Sequence, residues 1–123
     1  MKVLLSIKPE FAEKIFSGEK KYEFRRKIFK NKEVTTIVVY ASSPVKKVIG
    51  EFEIERIVLE EIGALWKRTK KQAGITEDFF YSYFGNTERG YAIKVKESKL
   101  YPEPLCIKEH FGTHAPQSFM YLA

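Results

Sequence analysis

Short segments with the two-residue periodicity of β-strands alternate along this chain with segments that carry an apolar stripe at helical spacing. Strands are predicted over Lys2–Ile7 and over residues 20–26, 35–41, 47–59 and 91–96, the fourth with a kink or bulge at Gly50. Helices are predicted between these strands. The order of elements favours an α+β fold, a small mixed β-barrel with helices covering its openings.

Proline and glycine mark the ends of the predicted helices. Pro9 opens the first helix, because a proline at the first helical position loses no hydrogen bond, and Gly18 ends it, because glycine readily adopts positive φ. A second helix is predicted to end at Gly74. A third lies between Thr76, which can cap its N-terminus, and Gly85.

Aromatic residues are frequent on the second and third helices. Trp66 and the aromatic members of residues 79–84 are interpreted as core residues. After the last strand, Pro102 and Pro104 are predicted to bound a loop. Residues 116–122 are predicted to form a closing turn of helix.

Composition is typical of one small globular domain. The chain has 123 residues, of which 44% are hydrophobic and 15% aromatic, which can supply a core without a metal or a disulfide. Cys106 is the only cysteine, which excludes a disulfide within the chain. The apolar stretch near Met1 is too short for a signal peptide, and no run reaches the ~18 apolar residues of a membrane span. We therefore expect one domain over residues 1–123, located in the cytoplasm and without membrane contact.

Positive charge is concentrated in two parts of the chain. Lysine and arginine total 22 against 16 acidic residues, for a net charge of +6. Two clusters stand out: Lys20, Lys21, Arg25, Arg26, Lys27, Lys30 and Lys32, opposed within that stretch only by Glu23, and Lys67, Arg68, Lys70 and Lys71. A charge run is often a solvated face, but a cluster beside a glycine turn also suits a polyanionic partner.

The segment after the first helix carries a recognisable motif. Residues 18–26 resemble the ASCH domain, a branch of the PUA-like superfamily, whose pattern Gly-x-Lys-x-x-Glu-x-Arg is filled by Gly18, Lys20, Glu23 and Arg25. Four further stretches fit the same resemblance in the same order: residues 6–9, residues 40–44 followed by Gly50 and Glu51, residues 80–85, and residues 116–122.

This resemblance implies a single PUA-like β-barrel with a cleft floored by the motif. It also implies binding of RNA or of a modified nucleoside or nucleotide, in some members in the regulation of transcription or translation. A few small members are amidohydrolases that act on an acylated cytidine. In those enzymes a threonine stands where this chain has Glu23, so the resemblance does not extend to a threonine nucleophile.

Alternation along the predicted strand separates the motif into two faces. Lys21, Glu23 and Arg25 share one face, and the opposite face, which includes Lys20, Tyr22, Phe24 and Arg26, is assigned to the core. Lys20 then reaches the cleft only if the glycine turn redirects it. Glu23 can orient Arg25 and leave guanidinium N–H groups free for a phosphate, although an ordinary salt bridge is the alternative.

Three further residues are candidates for the same cleft. Lys8 and Ser43 lie at the ends of neighbouring elements, where ligand-binding groups often converge, although Ser43 could instead stabilise the turn before Pro44. Tyr81 faces away from the apolar stripe of its helix and could stack on a base, or simply lie at a rim.

A metal site is not predicted. His110 and His114 are four residues apart and Cys106 lies four before them, but Gly112 weakens any helix that would align these side chains. No paired cysteine motif is present. We expect no metal and no other cofactor.

Three functions follow from these observations. The leading interpretation is an RNA- or nucleotide-binding module with a basic cleft formed by Lys8, Lys20, Lys21, Glu23, Arg25, Arg26, Ser43 and Tyr81. The alternative is a small hydrolase acting on an amide of a modified nucleoside or on a phosphodiester, with Lys20 as base, Glu23 as proton shuttle and Ser43 or a water molecule as nucleophile. A protein-interaction adaptor is the third. The sequence predicts no oligomeric state.

Overall fold

The computed structural model describes residues 1–122. Its strands are β1 (Lys2–Ile7), β2 (Tyr22–Arg25), β3 (Thr36–Ala41), β4 (Lys47–Glu61), β5 (Arg89–Leu105) and β6 (Phe119–Leu122). Its α-helices are α1 (Pro9–Ser17), α2 (Ile62–Thr69), α3 (Glu77–Phe84) and α4 (Ile107–Phe111), and a short 3-10 helix, Lys70–Gln72, follows α2. The predicted mixed α+β fold is confirmed.

The six strands form one sheet in the order β2-β5-β4-β3-β1-β6. β1 pairs in parallel with β3, and the other pairs are antiparallel. Within residues 1–122 the outer strands β2 and β6 are not paired with each other, so hydrogen bonding does not close the sheet. The mixed β-barrel predicted from the sequence is therefore not confirmed.

The open sheet is nevertheless strongly curled. Arg25 on β2 donates a hydrogen bond of 2.7 Å to the carbonyl oxygen of Ser6 on β1, although three strands lie between them in the sheet order. The predicted irregularity at Gly50 is confirmed, because the register of β4 against β5 shifts between Val48 and Gly50. A Cβ at Gly50 would lie 2.7 Å from the ring of Phe16, so the missing side chain also lets α1 pack closely on the sheet.

Two apolar clusters hold α1 and the α2–α3 pair against the sheet. Ala12 and Ile15 of α1 pack on residues of β1, β3 and β4, including Phe52. Phe80 and Phe84 of α3 pack with Leu65 of α2 and with side chains of β2 and β5. The assignment of Phe80 and Phe84 to the core is confirmed. As a result, β2 is covered by α3 while its last residues remain close to the end of β1.

The predicted loop bounded by Pro102 and Pro104 is wrong, because β5 continues to Leu105. The ladder with β4 pairs Gly50 with Leu100 and Val48 with Leu105, and residues 101–104 have no partner in it. Both prolines therefore lie in a bulge, where a missing N–H breaks no ladder hydrogen bond.

The last segment also differs from the prediction. Residues 116–122 form no helix: Phe119–Leu122 is strand β6 and pairs antiparallel with β1. The short helix α4 (Ile107–Phe111) was not predicted. Strand pairing with a distant segment supplies the hydrogen bonds that a closing helical turn would have formed locally.

No helix within residues 1–122 is long and apolar enough to cross a lipid bilayer.

Candidate functional site

A cavity of about 190 Å³ opens between the C-terminal end of β1, the start of α1, β2 and α3. It is lined by Ser6, Ile7, Lys8, Phe11, Lys20, Glu23, Phe24, Arg25, Ile75, Phe79 and Tyr83. Charged groups from the ASCH-like motif thus face aromatic and aliphatic side chains from the two helices. Such a combination of an apolar wall and a few polar groups is typical of small ligand sites.

Lys20 lies at the base of this cavity. Its side chain is 1% exposed, and Nζ donates a hydrogen bond of 2.7 Å to the carbonyl oxygen of Ala73. Nζ also lies 4.8 Å from the ring centroid of Phe24 and 5.5 Å from that of Phe11, within the range of cation–π contacts. Burial lowers the pKa of Lys20 from 10.5 to about 8, and the nearby Glu23 carboxylate partly opposes this shift.

The turn after α1 directs Lys20 into the cavity. Gly18 ends the helix with a φ of 88°, and the Lys20 N–H then donates to the carbonyl oxygen of Lys14. Gly74 passes directly over the Lys20 side chain, and a Cβ there would lie 2.6 Å from Lys20 Cγ. Because β2 begins only at Tyr22, the strand alternation predicted from residue 20 does not apply to Lys20.

Glu23 and Arg25 form the charged wall of the cavity. Arg25 Nη2 lies 3.0 Å from Glu23 Oε2, and both side chains are largely buried, at 12% and 9% exposure. Nη2 also donates to the Ser6 carbonyl oxygen, whereas the buried Nε of Arg25 has no partner within residues 1–122. The two residues alternate along β2 and so share a face, as the sequence predicts, and Glu23 orients the guanidinium group.

Lys8 completes the set of predicted residues at the cavity. It precedes α1, its side chain is exposed, and its Nζ lies 5.4 Å from the ring centroid of Phe79. The structure therefore brings Lys8, Lys20, Glu23 and Arg25 together.

The other predicted residues lie outside the cavity. Arg26 is held on α3, with its guanidinium carbon 4.9 Å from the Tyr83 ring centroid and Nη1 donating to the Tyr83 carbonyl oxygen at 3.2 Å. Lys21 is half-buried, lies just before β2 and does not line the cavity, and Ser43 is exposed in the turn between β3 and β4. Tyr81 is 43% exposed and does not line the cavity either.

Several cavity residues were not predicted from the sequence. Phe79 and Tyr83 are half-buried and line the cavity; Tyr83 also packs against the core cluster of Phe80 and Phe84, whereas Phe79 belongs to no core cluster, so only its assignment to the core is wrong. They lie four residues apart on α3 and therefore share a face, but that spacing is the same for a core stripe and for a cavity wall. Phe24 is buried, as predicted, and its ring also reaches the lining. Ser6 and Ile7 belong to residues 6–9, which fit the family resemblance, but neither they nor Phe11 and Ile75 were predicted to line a cavity.

The residues considered for a metal do not converge. His110 Nδ1 lies 3.2 Å from the Cys106 carbonyl oxygen, which is a contact within α4 and its N-cap. In the part of the chain that the structure describes, no three side chains from histidine, cysteine, aspartate and glutamate are grouped closely enough to bind a metal ion.

Comparison with known proteins gives relatives of several kinds. The chain is 38% identical over 94 residues to an "ASCH domain-containing ribonuclease" of Zymomonas mobilis, covering 76% of this chain and 64% of that protein. It is 28% identical over 120 residues to the large ribosomal subunit protein uL22 of Ureaplasma parvum, covering 98% of this chain and 39% of that protein. The chain thus spans less than two thirds of the length of these curated relatives.

Solved structures show the same fold. The crystal structure of ASCH from Zymomonas mobilis matches with a TM-score of 0.91 and 34% identity, covering 99% of this chain and 87% of that one. The N-terminal domain of Staphylothermus marinus McrB matches with a TM-score of 0.58 at 14% identity, covering 88% of this chain and 77% of that one, which shows a likeness of fold alone.

The family model described as the ASCH domain matches residues 5–104. This stretch contains the whole charged set of the cavity, and the match covers most of the chain. The chain belongs to the ASCH domain family.

Proposed function

We propose that the chain binds RNA and holds one of its nucleotides in the cavity between β1, α1, β2 and α3. The observation that carries this proposal is the placement of Lys20, Glu23 and Arg25 opposite the aromatic side chains of α1 and α3. Unstacked bases of single-stranded or looped RNA are recognised in this way, by stacking on aromatic rings and by hydrogen bonds to the base edge.

The size and polarity of the cavity favour a base over a bare phosphate as its deepest occupant. A volume of about 190 Å³ suits one flat ring system, and most of the lining side chains are apolar or aromatic. Glu23 uses Oε2 to accept from Arg25, which leaves Oε1 available to accept from a base N–H. The Nη1 group of Arg25, which makes no hydrogen bond within residues 1–122, can donate to a base carbonyl or ring nitrogen.

The net positive charge of the chain and its sequence similarity to a ribonuclease support RNA as the source of that base. The net charge of +6 favours a polyanionic partner, and Lys8 lies at the cavity without an ion-pair partner among residues 1–122. A relative that is 38% identical over most of this chain is named a ribonuclease. An RNA ligand also agrees with the cytoplasmic location and with the roles in transcription or translation expected from the sequence.

Binding is tested by titrating a fluorescent single-stranded RNA with wild type, Lys8→Gln and Arg25→Gln at several salt concentrations. We expect wild-type affinity to fall as salt rises, because phosphate contacts release counterions, and both variants to bind more weakly, Arg25→Gln at least tenfold. Lys47→Gln, which removes an exposed charge at the start of β4, is the matched control and should bind like wild type. Absence of wild-type binding at low salt would refute the proposal.

A second candidate function is hydrolysis of an RNA phosphodiester, favoured by the lowered pKa of Lys20 and by the name of the relative. An amine with a pKa of about 8 is partly neutral near physiological pH and can act as a general base. Neutral Lys20 would take a proton from a water molecule whose oxygen attacks phosphorus. The expelled ribose oxygen would then receive a proton from the Lys20 ammonium, and Arg25 would stabilise the charge on the phosphate.

Ser43 is not available as the nucleophile in this scheme, because it lies in the exposed turn between β3 and β4 and outside the cavity. Hydrolysis of an amide on a modified nucleoside remains an expectation from the sequence, and no contact in the cavity favours it over the phosphodiester.

Binding and catalysis are separated by Glu23→Gln and Lys20→Gln. In an enzyme, Lys20→Gln should abolish cleavage of a labelled RNA, and the wild-type rate should rise with pH through about 8 as Lys20 loses its proton. If the protein only binds RNA, neither wild type nor Lys20→Gln cleaves the labelled RNA, and Glu23→Gln retains its phosphate affinity. Equal cleavage by wild type and Lys20→Gln would eliminate the catalytic candidate.

A further inference from the structure

A basic groove continues from the cavity across the surface. It is formed by residues 25–27, Tyr83, Thr87 and residues 117–118, and encloses about 690 Å³ against about 190 Å³ for the cavity. Arg25 and Tyr83 belong to both linings, so the groove lies directly beside the cavity. The groove is therefore large enough for nucleotides that flank the one in the cavity.

Residues 116–118, which form one wall of the groove, are hydrogen-bonded to β1, whose last residues line the cavity. Ser6 Oγ donates a hydrogen bond of 2.6 Å to the Pro116 carbonyl oxygen, and the Ser6 N–H donates to the Ser118 carbonyl oxygen at 3.2 Å. Gln117 lies between these two anchored residues. Ser6 itself lines the cavity, so the two spaces share a rigid boundary.

The charges in the groove suit a phosphate backbone. Arg26 stacks on Tyr83 and donates from Nη1 to its carbonyl oxygen, which fixes the guanidinium group and leaves its remaining N–H donors free. Lys27 is exposed and has no hydrogen-bond or ion-pair partner among residues 1–122. Among the residues that the structure describes, no carboxylate side chain lines the groove. Arg26 and Lys27 are therefore uncompensated cations beside the cavity.

We propose that a single RNA strand places one base in the cavity and runs with its adjacent phosphates along the basic groove, over Arg26 and Lys27. This inference rests on the proposed RNA-binding function and deepens it. It makes the ligand a polymer instead of a free nucleoside and assigns the contacts of the flanking nucleotides. The side chains of Gln117, Ser118 and Thr87 are uncharged polar groups that can hydrogen-bond to these phosphates or riboses.

The proposal is tested by comparing a single-stranded RNA of about ten nucleotides, a length within the site sizes of small single-strand-binding domains, with nucleoside 5′-monophosphates. The groove variant is Arg26→Gln/Lys27→Gln. The matched control is Lys30→Gln/Lys32→Gln, which removes the same charge from the same segment but from side chains that line neither the cavity nor the groove. Circular dichroism confirms that each variant folds.

We expect wild type to bind the RNA at least tenfold more tightly than any monophosphate. The groove variant should lose that advantage, with the log–log salt slope reduced in magnitude by about 1 to 2, and should keep its monophosphate affinity. The control should keep most of the RNA affinity. Monophosphates that bind as tightly as RNA, or a groove variant that behaves like the control, would overturn the strand path and leave the cavity function intact. Failure of wild type to bind either ligand would overturn both.

Discussion

Arg25 on β2 donates a hydrogen bond of 2.7 Å from Nη2 to the backbone carbonyl oxygen of Ser6 on β1. These strands are separated in the sheet by β5, β4 and β3, so this contact joins the two sides of the curled sheet at the cavity. The same nitrogen pairs with the Glu23 carboxylate. One side chain therefore supports both the shape of the sheet and the orientation of the candidate ligand-binding carboxylate.

Replacing Arg25 with lysine should weaken both properties. Lysine lacks the planar guanidinium group, whose rigid geometry fixes the directions in which Nη2 donates to Ser6 and to Glu23, so we expect a loss of about 1–3 kcal/mol in the free energy of unfolding and weaker RNA binding. Urea unfolding and RNA titration measure the two effects. Arg89→Lys, at an exposed arginine that begins β5, is the control and should change neither. Wild-type stability in Arg25→Lys would contradict the bridging role.

Stability should rise with pH in the alkaline range because of Lys20. The unfolded chain keeps this proton up to a pKa of 10.5, whereas the folded chain releases it near 8, so the unfolded state binds more protons between these values. Relative to Lys20→Met, wild type should gain up to about 3 kcal/mol between pH 8 and 10.5 and show no relative change below pH 7. Urea unfolding of both proteins across this range measures the difference. Parallel pH profiles would mean that Lys20 is not desolvated.

Gly74→Ala should lower the free energy of unfolding by more than a non-glycine residue at positive φ usually does. The φ of Gly74 is +68°, and an added Cβ would lie 2.6 Å from Lys20 Cγ and 3.0 Å from Lys20 Cα, so rotation of the lysine side chain cannot relieve the whole clash. Gly112→Ala shares the conformational cost, with a φ of +65°, but its Cβ would meet nothing within 4 Å. We expect about 1–2 kcal/mol for Gly112→Ala and a larger loss for Gly74→Ala. Equal melting temperatures for the two variants would argue against close packing over Lys20.

Phe79 should contribute more to RNA binding than Tyr81. Phe79 lines the cavity and can stack on a base, whereas Tyr81 is exposed on another side of α3. Phe79→Leu should lower RNA affinity about tenfold, since stacking on an aromatic ring is worth about 1–3 kcal/mol per base, and Tyr81→Leu should have no effect. Titrations of wild type, Phe79→Leu and Tyr81→Leu with the same RNA measure the difference in affinity. A loss confined to Tyr81→Leu would restore the sequence-based assignment of Tyr81 as the stacking residue.

Local signals in the sequence correctly predicted α1 and the shared face of Glu23 and Arg25. Pro9 and Gly18 define the helix by backbone geometry alone, and Glu23 and Arg25 share a face because strand alternation extends only over neighbouring residues. The register shift in β4 likewise occurs at Gly50, the residue at which the sequence predicts a kink or bulge. Each of these features depends on the residue itself or on its immediate neighbours, which is the information that a single sequence contains.

Features that depend on distant segments were not predictable in the same way. Strand β6 exists because Phe119–Leu122 pairs with β1, and nothing within these four residues specifies that partner. Phe79 and Tyr83 line a cavity because the ends of β1 and β2 leave a space beside α3. Pro102 can lie within β5 because residues 101–104 form a bulge that is not paired with β4. In all three cases the deciding contact lies far away in the chain.

The position of β2 in the sheet also determines when the cavity can form. Among residues 1–122, β2 pairs only with β5, and Tyr22 lies opposite Lys94, more than half the chain length away. Pairings of such long range are formed late, because the intervening chain must be ordered first. During synthesis on the ribosome, Glu23 and Arg25 emerge early but have no strand to fix them until β5 has followed. The nascent chain is therefore expected to acquire its ligand affinity in a single late step.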